Sequence, residues 1–363
     1  MLVPYIRSSS YGNWSFCKLQ YYQIYVLGYQ NKTGLKAELG TATHKVMEVL
    51  GVCKKILQDG GKQTFTDDAI GEVKFNKKGL YTDKFVDQLI SRSYEAYKAK
   101  SENDDFNPDK FKVKIGDEQV KDTFRFVEKQ VYMALNNWNG LYDVRNRTIV
   151  DMEPHFDLPI NEDWAHFTFK KNGETHKGQL AIKGTIDTVT SLDDDTIEVI
   201  DWKTGQRIDF ATGEEKDYAK LCNDPQLLLY NHAISRLYPT YNNRIMTINF
   251  IRDGGPFSMC FEDEDDERFI DMLRDRFKEI TTATKLEPIS QSRGAKKPGT
   301  NKLKDWKNGW KCAYLCKFSE IDPETGQSRC KNVEDTIKLY GIDEATKKLK
   351  NPDFDPTFYS APG

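Results

Sequence analysis

The sequence predicts an α/β (α+β) fold, a mixed sheet with helices before, within and after it. Three observations carry this. Residues 36–58 repeat Leu39, Val46, Met47, Leu50 and Leu57 at helical spacing. From about Thr148 the period changes, and TIVDMEPHFDLPI, AHFTFK, QLAIKGTIDTVT and TIEVIDWKT alternate β-branched with polar residues between Gly, Asn and Asp clusters. Helical signals then return, with Asp224 as N-cap and Pro225 at the first helical position.

Taken in order, residues 14–30 are dense in aromatics, and Tyr21, Tyr22 and Tyr25 suit core packing. Further helices are expected over 83–99 and 116–136. NRIMTINFIRDG and PFSMCFE form a hairpin. The acidic run 262–267 complements the dipole of a helix with Ile270, Leu273, Phe277 and Ile280 on its apolar side. Four regions result: 1–60 with Cys17 and the His44 helix, a helical insertion over 61–147, a strand-rich core over 148–284, and 285–363 with a basic segment and cysteines.

Composition narrows the function. The chain has 363 residues, 53 Lys plus Arg against 56 Asp plus Glu, and a formal net charge of −3, so a nucleic-acid site must be a local basic patch. No apolar run approaches the roughly 20 residues of a membrane span. Seven scattered cysteines and no secretory signal fit a reducing cytoplasm. Without a GxxxxGK[ST] motif, unwinding must come from a partner such as a helicase, or the substrate must already be single-stranded or have a free end.

The stretch GTIDTVTSLDDDTIEVIDWKTG, residues 184–205, carries the chemistry. A hairpin symmetric about Asp194 sets Asp187 opposite Asp201, with Cβ atoms roughly 5 Å apart. Lys203 projects from the same face as Asp201, and Ile186, Ile200 and Trp202 from the other. Two facing carboxylates repel, so one takes a proton or both share a cation, and Mg²⁺ suits oxygen donors. Metal, carboxylates, water and a nearby ammonium are the parts of phosphodiester hydrolysis. The same residues also fit an exposed hairpin with an incidental carboxylate pair. What favours chemistry is the series Gly40-x-x-x-His44, Gly184-x-Ile186-Asp187, Asp201-x-Lys203 and Gln226-x-x-x-Tyr230, in that order.

That series resembles the RecB-like branch of the PD-(D/E)xK nuclease superfamily, over roughly residues 8–232 with an unmatched insertion at about 60–147. The resemblance implies a restriction-endonuclease-like core over 148–284. It implies Mg²⁺ or Mn²⁺ at His44, Asp187, Asp201 and the Trp202 carbonyl, with Glu153 as an accessory acid. Lys203 is then the motif lysine, and Gln226 and Tyr230 hold the site and contact DNA. It also implies a [4Fe–4S] cluster on Cys17, Cys312, Cys316 and Cys330, although CxxxC and a thirteen-residue gap depart from the usual spacing, and a zinc site fits the same residue types. Cys53, Cys222 and Cys260 are expected to be plain thiols.

Residues 285–311 hold eight Lys or Arg and two acidic residues. Lys296, Lys297, Lys302 and Lys304 could contact phosphates, and Trp306 and Trp310 could stack on bases or pack on the core. The expectation is a metal-dependent DNA exonuclease in recombination, repair or processing, of a bacterium or phage by analogy. A structure-specific endonuclease and a non-catalytic DNA-binding scaffold are the alternatives.

Overall fold

The computed structural model describes residues 1–31, 34–101, 111–171, 174–209, 213–289, 309, 311, 312 and 315–354, without the side chains of residues 170 and 171. Lys296, Lys297, Lys302 and Lys304, with Trp306 and Trp310, lie outside the described residues.

The chain opens on a short strand, β1 (Tyr5–Ile6), and helices α1 (Ser8–Phe16) and α2 (Lys18–Tyr21). Trp14, Tyr21 and Tyr22 are fully buried, as their density predicted. The long helix α3 (Leu35–Gln58) follows. Residues 61–147 are less helical than expected. They hold the hairpin β2 (Thr64–Asp67) with β3 (Gly71–Lys74), α4 (Asp83–Lys100), the hairpin β4 (Val113–Ile115) with β5 (Glu118–Val120), and α5 (Thr123–Gly140). The helix expected from 116 therefore starts at Thr123. Gly116, at φ +57°, makes the hairpin turn, and the strands on either side of it bury Val113, Ile115 and Val120.

The strand-rich part then runs through β6 (Thr148–Met152), β7 (His155–Pro159), β8 (His166–Lys171), β9 (Glu174–Gln179), β10 (Ala181–Thr185), β11 (Thr188–Ser191) and β12 (Thr196–Lys203). Helices α6 (Tyr218–Cys222) and α7 (Pro225–Leu237) carry the chain to β13 (Asn243–Phe250) and β14 (Phe257–Phe261). Helix α8 (Asp263–Thr281) and, near the end, α9 (Arg329–Leu349) complete it.

The central sheet has the order β14-β13-β12-β11-β6. Only β12 and β13 pair in parallel, which is why a helical crossover joins them. The sheet is buried on both faces. Val189, Ile197, Val199, Met246 and Ile248 join one core with the N-terminal aromatics, α7 and α8. Ile149, Ile200 and Trp202 join a second core with α3, α4 and α5. Each such side chain contributes about 2 kcal/mol.

A second sheet, β1-β10-β7, continues the same chain pair past a corner. The strand expected to run unbroken from 148 to 160 bends at Glu153, and the one through 179–190 bends at Ile186–Asp187. β6 and β11 pair before the corner, β7 and β10 after it. Two bonds hold the bend: the Glu153 N–H to the Asp187 carbonyl at 3.1 Å and the Ile186 N–H to the Pro154 carbonyl at 3.2 Å. Glu153 takes a left-handed φ of +51°, a strain of about 1 kcal/mol or more for a residue with a side chain. The corner also moves Ile186 into the first core, opposite Ile200 and Trp202, whose face it was expected to share.

Candidate active site

The site grows from the hairpin β11–β12. Its register pairs Thr188 with Ile200 and Val189 with Val199, so the symmetry axis lies at Asp194 and Asp187 stands opposite Asp201, just beyond the last ladder pair. Alternation along β12 turns Asp201 and Lys203 to one face. The Lys203 ammonium lies 2.7 Å from Asp201 Oδ2. Asp187 Oδ2 accepts from the Trp202 N–H at 2.8 Å, so the backbone of one carboxylate's neighbour fixes the other carboxylate. The Trp202 indole donates to Thr188 Oγ1 at 3.3 Å in the second core, locking this strand end.

Helix α3 brings His44 to the hairpin, its Nδ1 3.5 Å from Asp187 Oδ2. Two glycines let the helix come this close. A Cβ on Gly40 would lie 2.5 Å from Thr204 Oγ1, and one on Gly51 2.3 Å from the Met152 sulfur. Helix α7 approaches from the opposite core. Asp224 caps it by accepting from the Gln226 N–H at 2.9 Å. The Gln226 amide then donates to Asp201 Oδ1 at 3.1 Å and to the Tyr230 oxygen at 2.8 Å. The Tyr230 hydroxyl donates to the Thr185 carbonyl at 2.9 Å. Tyr230 is only 4% exposed, so its place is beneath the site, holding Gln226, rather than against a substrate.

Charge is unevenly matched here. Burial pushes the Asp201 carboxyl up to about 6, with Lys203 opposing the rise and Asp187 adding to it. Burial pushes Glu153 further, to about 8, helped by Asp187 and Glu48. Asp187 goes the other way: burial opposes its charge, but His44, Lys203 and the Trp202 N–H together hold it below the usual carboxylate range. His44 and Lys203 are both raised, because their carboxylate neighbours outweigh burial.

One contributor escaped the sequence analysis. Glu48, one helical turn after His44, is raised by burial and feels Asp187. It pairs at 2.5 Å with Lys45, which also binds Asp67 of β2 at 3.1 Å. The i,i+4 series Gly40, His44, Glu48 was the available signal.

Asp201 Oδ2 is buried and, beyond the Lys203 ion pair, accepts no hydrogen bond among the described residues. Carboxylates in excess, an imidazole and this oxygen, answered only by Lys203, fit a hard divalent cation, Mg²⁺ or Mn²⁺. As the side chains stand, no three His, Cys, Asp or Glu among the described residues converge closely enough to enclose an ion. That holds equally for Cys17, Cys312, Cys316 and Cys330. All four are buried, and Cys17, Cys316 and Cys330 join one core.

One comparison with known proteins identifies the family. The family model of the PD-(D/E)XK nuclease superfamily matches residues 9–321, most of the chain. No curated protein matches it. The chain belongs to the PD-(D/E)XK nuclease superfamily, and its mixed α/β architecture agrees with the restriction-endonuclease-like fold. Such nucleases hydrolyse phosphodiester bonds and typically use Mg²⁺ or Mn²⁺. No helix among the described residues is long and apolar enough to cross a membrane.

Proposed function

We propose, from membership of this nuclease superfamily, that the protein is a RecB-like deoxyribonuclease, an exonuclease that shortens DNA from a free or single-stranded end in recombination, repair or processing. The observation that carries the reading is the opposed pair Asp187 and Asp201, with Lys203 on the same face and His44 brought against them. A scaffold protein gains nothing from buried carboxylates in excess of their counter-charges.

Asp187, Asp201 and His44, with Glu153 beside them, would hold one or two Mg²⁺ or Mn²⁺ ions. When bound, such ions withdraw charge from a phosphate and acidify water. The protein's own groups do the rest. Lys203, an ammonium paired with Asp201, donates hydrogen bonds and so orients the attacking water or stabilises charge developing on the phosphate. Gln226 and Tyr230 are positioning residues, which keep Asp201 turned toward Lys203.

A cleft of about 700 Å³ opens beside Lys203 and Gln226, lined by Ser8, Tyr11 and Asn13 of α1 and by Lys216. A volume in this range holds a drug-sized ligand. It suits a nucleotide or two of a single strand rather than a duplex segment, which favours ends and unpaired strands. A helicase or recombination partner would supply them.

The structure-favoured experiment is degradation of linear and circular single-stranded DNA with Mg²⁺ or Mn²⁺. Loss of the linear form with intact circles is expected. Cutting of circles at a similar rate would make the enzyme an endonuclease on the same fold.

We also propose a [4Fe–4S] cluster on Cys17, Cys312, Cys316 and Cys330. Support comes from their burial and from the influence of the Cys17 thiol on that of Cys316, which burial raises. Iron and acid-labile sulfide in anaerobically purified protein are expected. Zinc without sulfide would identify a zinc site instead.

A further inference from the structure

Beside the site lysine, the chain assembles two cations, Arg252 and Lys36, that form no ion pair among the described residues. Arg252 follows β13 and is held by its own backbone-directed bonds. Its Nε donates to the Thr204 carbonyl at 2.8 Å, and Nη1 to the Lys114 carbonyl at 3.4 Å. Thr204 directly follows Lys203. The Gln130 amide also donates to the Thr204 carbonyl, at 3.4 Å, so two separate parts of the chain fix this carbonyl.

Lys36, Gly40 and His44 share one helix face at one-turn intervals, and Gly40 packs against Thr204. Lys36 is exposed, while Arg252 is half-buried. Partial desolvation and then the Arg252 charge hold the Lys36 ammonium below its usual range, in line with Gly40, one turn from Lys36, packing on Thr204, the residue that Arg252 binds. Among the described residues, neither forms an ion pair. Asp253, the acid adjacent to Arg252 in sequence, accepts from the Arg207 N–H at 2.6 Å. Lys36 also sits in the first turn of α3, where the helix dipole disfavours a cation.

Asp253 offsets part of the Arg252 charge, but like charges kept together repel, and an anion that joins them relieves the repulsion. A guanidinium anchored through Nε and one terminal nitrogen keeps its plane fixed and its other terminal nitrogen available to donate. With a lysine point charge beside it, this is a phosphate-recognising pair. Eight residues along α3 place Lys36 roughly 12 Å from His44, on the scale of one to two nucleotide steps.

We propose that Arg252 and Lys36 form a subsite for a non-scissile phosphate of the substrate strand, one or two nucleotides from the bond cleaved. The subsite rests on the nuclease reading and deepens it. It would set how the strand lies across Lys203, with a cation fixed at each end of the reacting segment.

The test is binding of a labelled single-stranded oligodeoxynucleotide to the full chain by fluorescence anisotropy. Ca²⁺ replaces Mg²⁺ to limit cleavage, and salt is varied. Each phosphate contact on a single strand contributes about 0.7 to the slope of log affinity against log salt. Lys36→Ala and Arg252→Ala should each reduce the slope by about that amount, and the pair by about twice it. In turnover with Mg²⁺, KM should rise more than kcat falls. Lys36→Ala removes an exposed side chain that holds nothing in the fold, so it reports even if Arg252→Ala folds poorly. Wild-type binding with an unchanged slope in Lys36→Ala overturns the subsite alone. Absence of wild-type binding would instead count against the nucleic-acid reading, and the subsite would fall with it.

Discussion

Helix α7 touches two charged clusters that behave in opposite ways. Toward its N-terminus, Gln226 and Tyr230 support Asp201. Further along, His232 meets Asp266 of α8 at 2.6 Å, and Arg236 pairs with the same carboxylate at 3.0 Å. In the second cluster an imidazole and a guanidinium answer the acid. Burial would raise Asp266, but His232 and Arg236 outweigh it and hold the carboxyl below its usual range. In the first cluster acids exceed cations, and burial with neighbouring charge drives Asp201 to about 6 and Glu153 to about 8. On the proposed function, the difference separates a structural cluster from a functional one. A fold has no use for stored repulsion, whereas a cation-binding site depends on it.

The contrast can be broken from either side. Gln226→Leu leaves Asp201 without its amide donor, and a supporting residue of this kind typically changes activity by about 10- to 100-fold. The loss should fall mainly on kcat, with Tm nearly unchanged. An equal loss of Tm would make Gln226 a structural residue.

Glu153→Gln tests the surplus charge through stability. A carboxyl raised in the folded state keeps its proton while the unfolded chain ionises. Stability is therefore fully present below about pH 4.5 and declines as pH rises toward 8. In chelator, Glu153→Gln should match wild type at pH 4 and be the more stable protein at pH 8. The stabilising effect of added Mg²⁺ should shrink. Urea titrations at both pH values measure this, and equal stability at pH 8 would remove the case for stored repulsion.

The structural cluster should respond more weakly and in reverse. A depressed carboxyl stabilises above its unfolded pKa, near 3.8, and that contribution is lost as pH falls through the lower folded value. Asp266→Asn should cost about 1 kcal/mol at pH 7 and nothing near pH 2, with nuclease activity retained. Reduced activity at full stability would join the two clusters functionally.

Much of this arrangement was legible from residue order. The Asp194 axis followed from equal strand lengths on either side of one polar turn, and it placed Asp187 opposite Asp201. The cap at Asp224 followed from its neighbour Pro225. The corner at Glu153 and Asp187 was not legible, because alternation of side chains persists through a bend and only the hydrogen-bond partners change sheet. The hairpin before α5 was hidden by strands of three residues each, too short for a period of two to stand out. Glu48 and the Arg252–Lys36 pair were missed for a different reason. Their meaning comes from partners far away in sequence, Asp187 for one and Thr204 for the other.

The central claim is that Asp187, Asp201 and Lys203 form a hydrolytic site. Its most direct test is release of acid-soluble nucleotides from labelled linear DNA with Mg²⁺ or Mn²⁺, comparing wild type with Lys203→Ala after both are shown to share the same far-UV spectrum and Tm. Release by wild type, reduced ~10³-fold or more in Lys203→Ala, is the predicted result. Equal release by both proteins would contradict the assignment of the site.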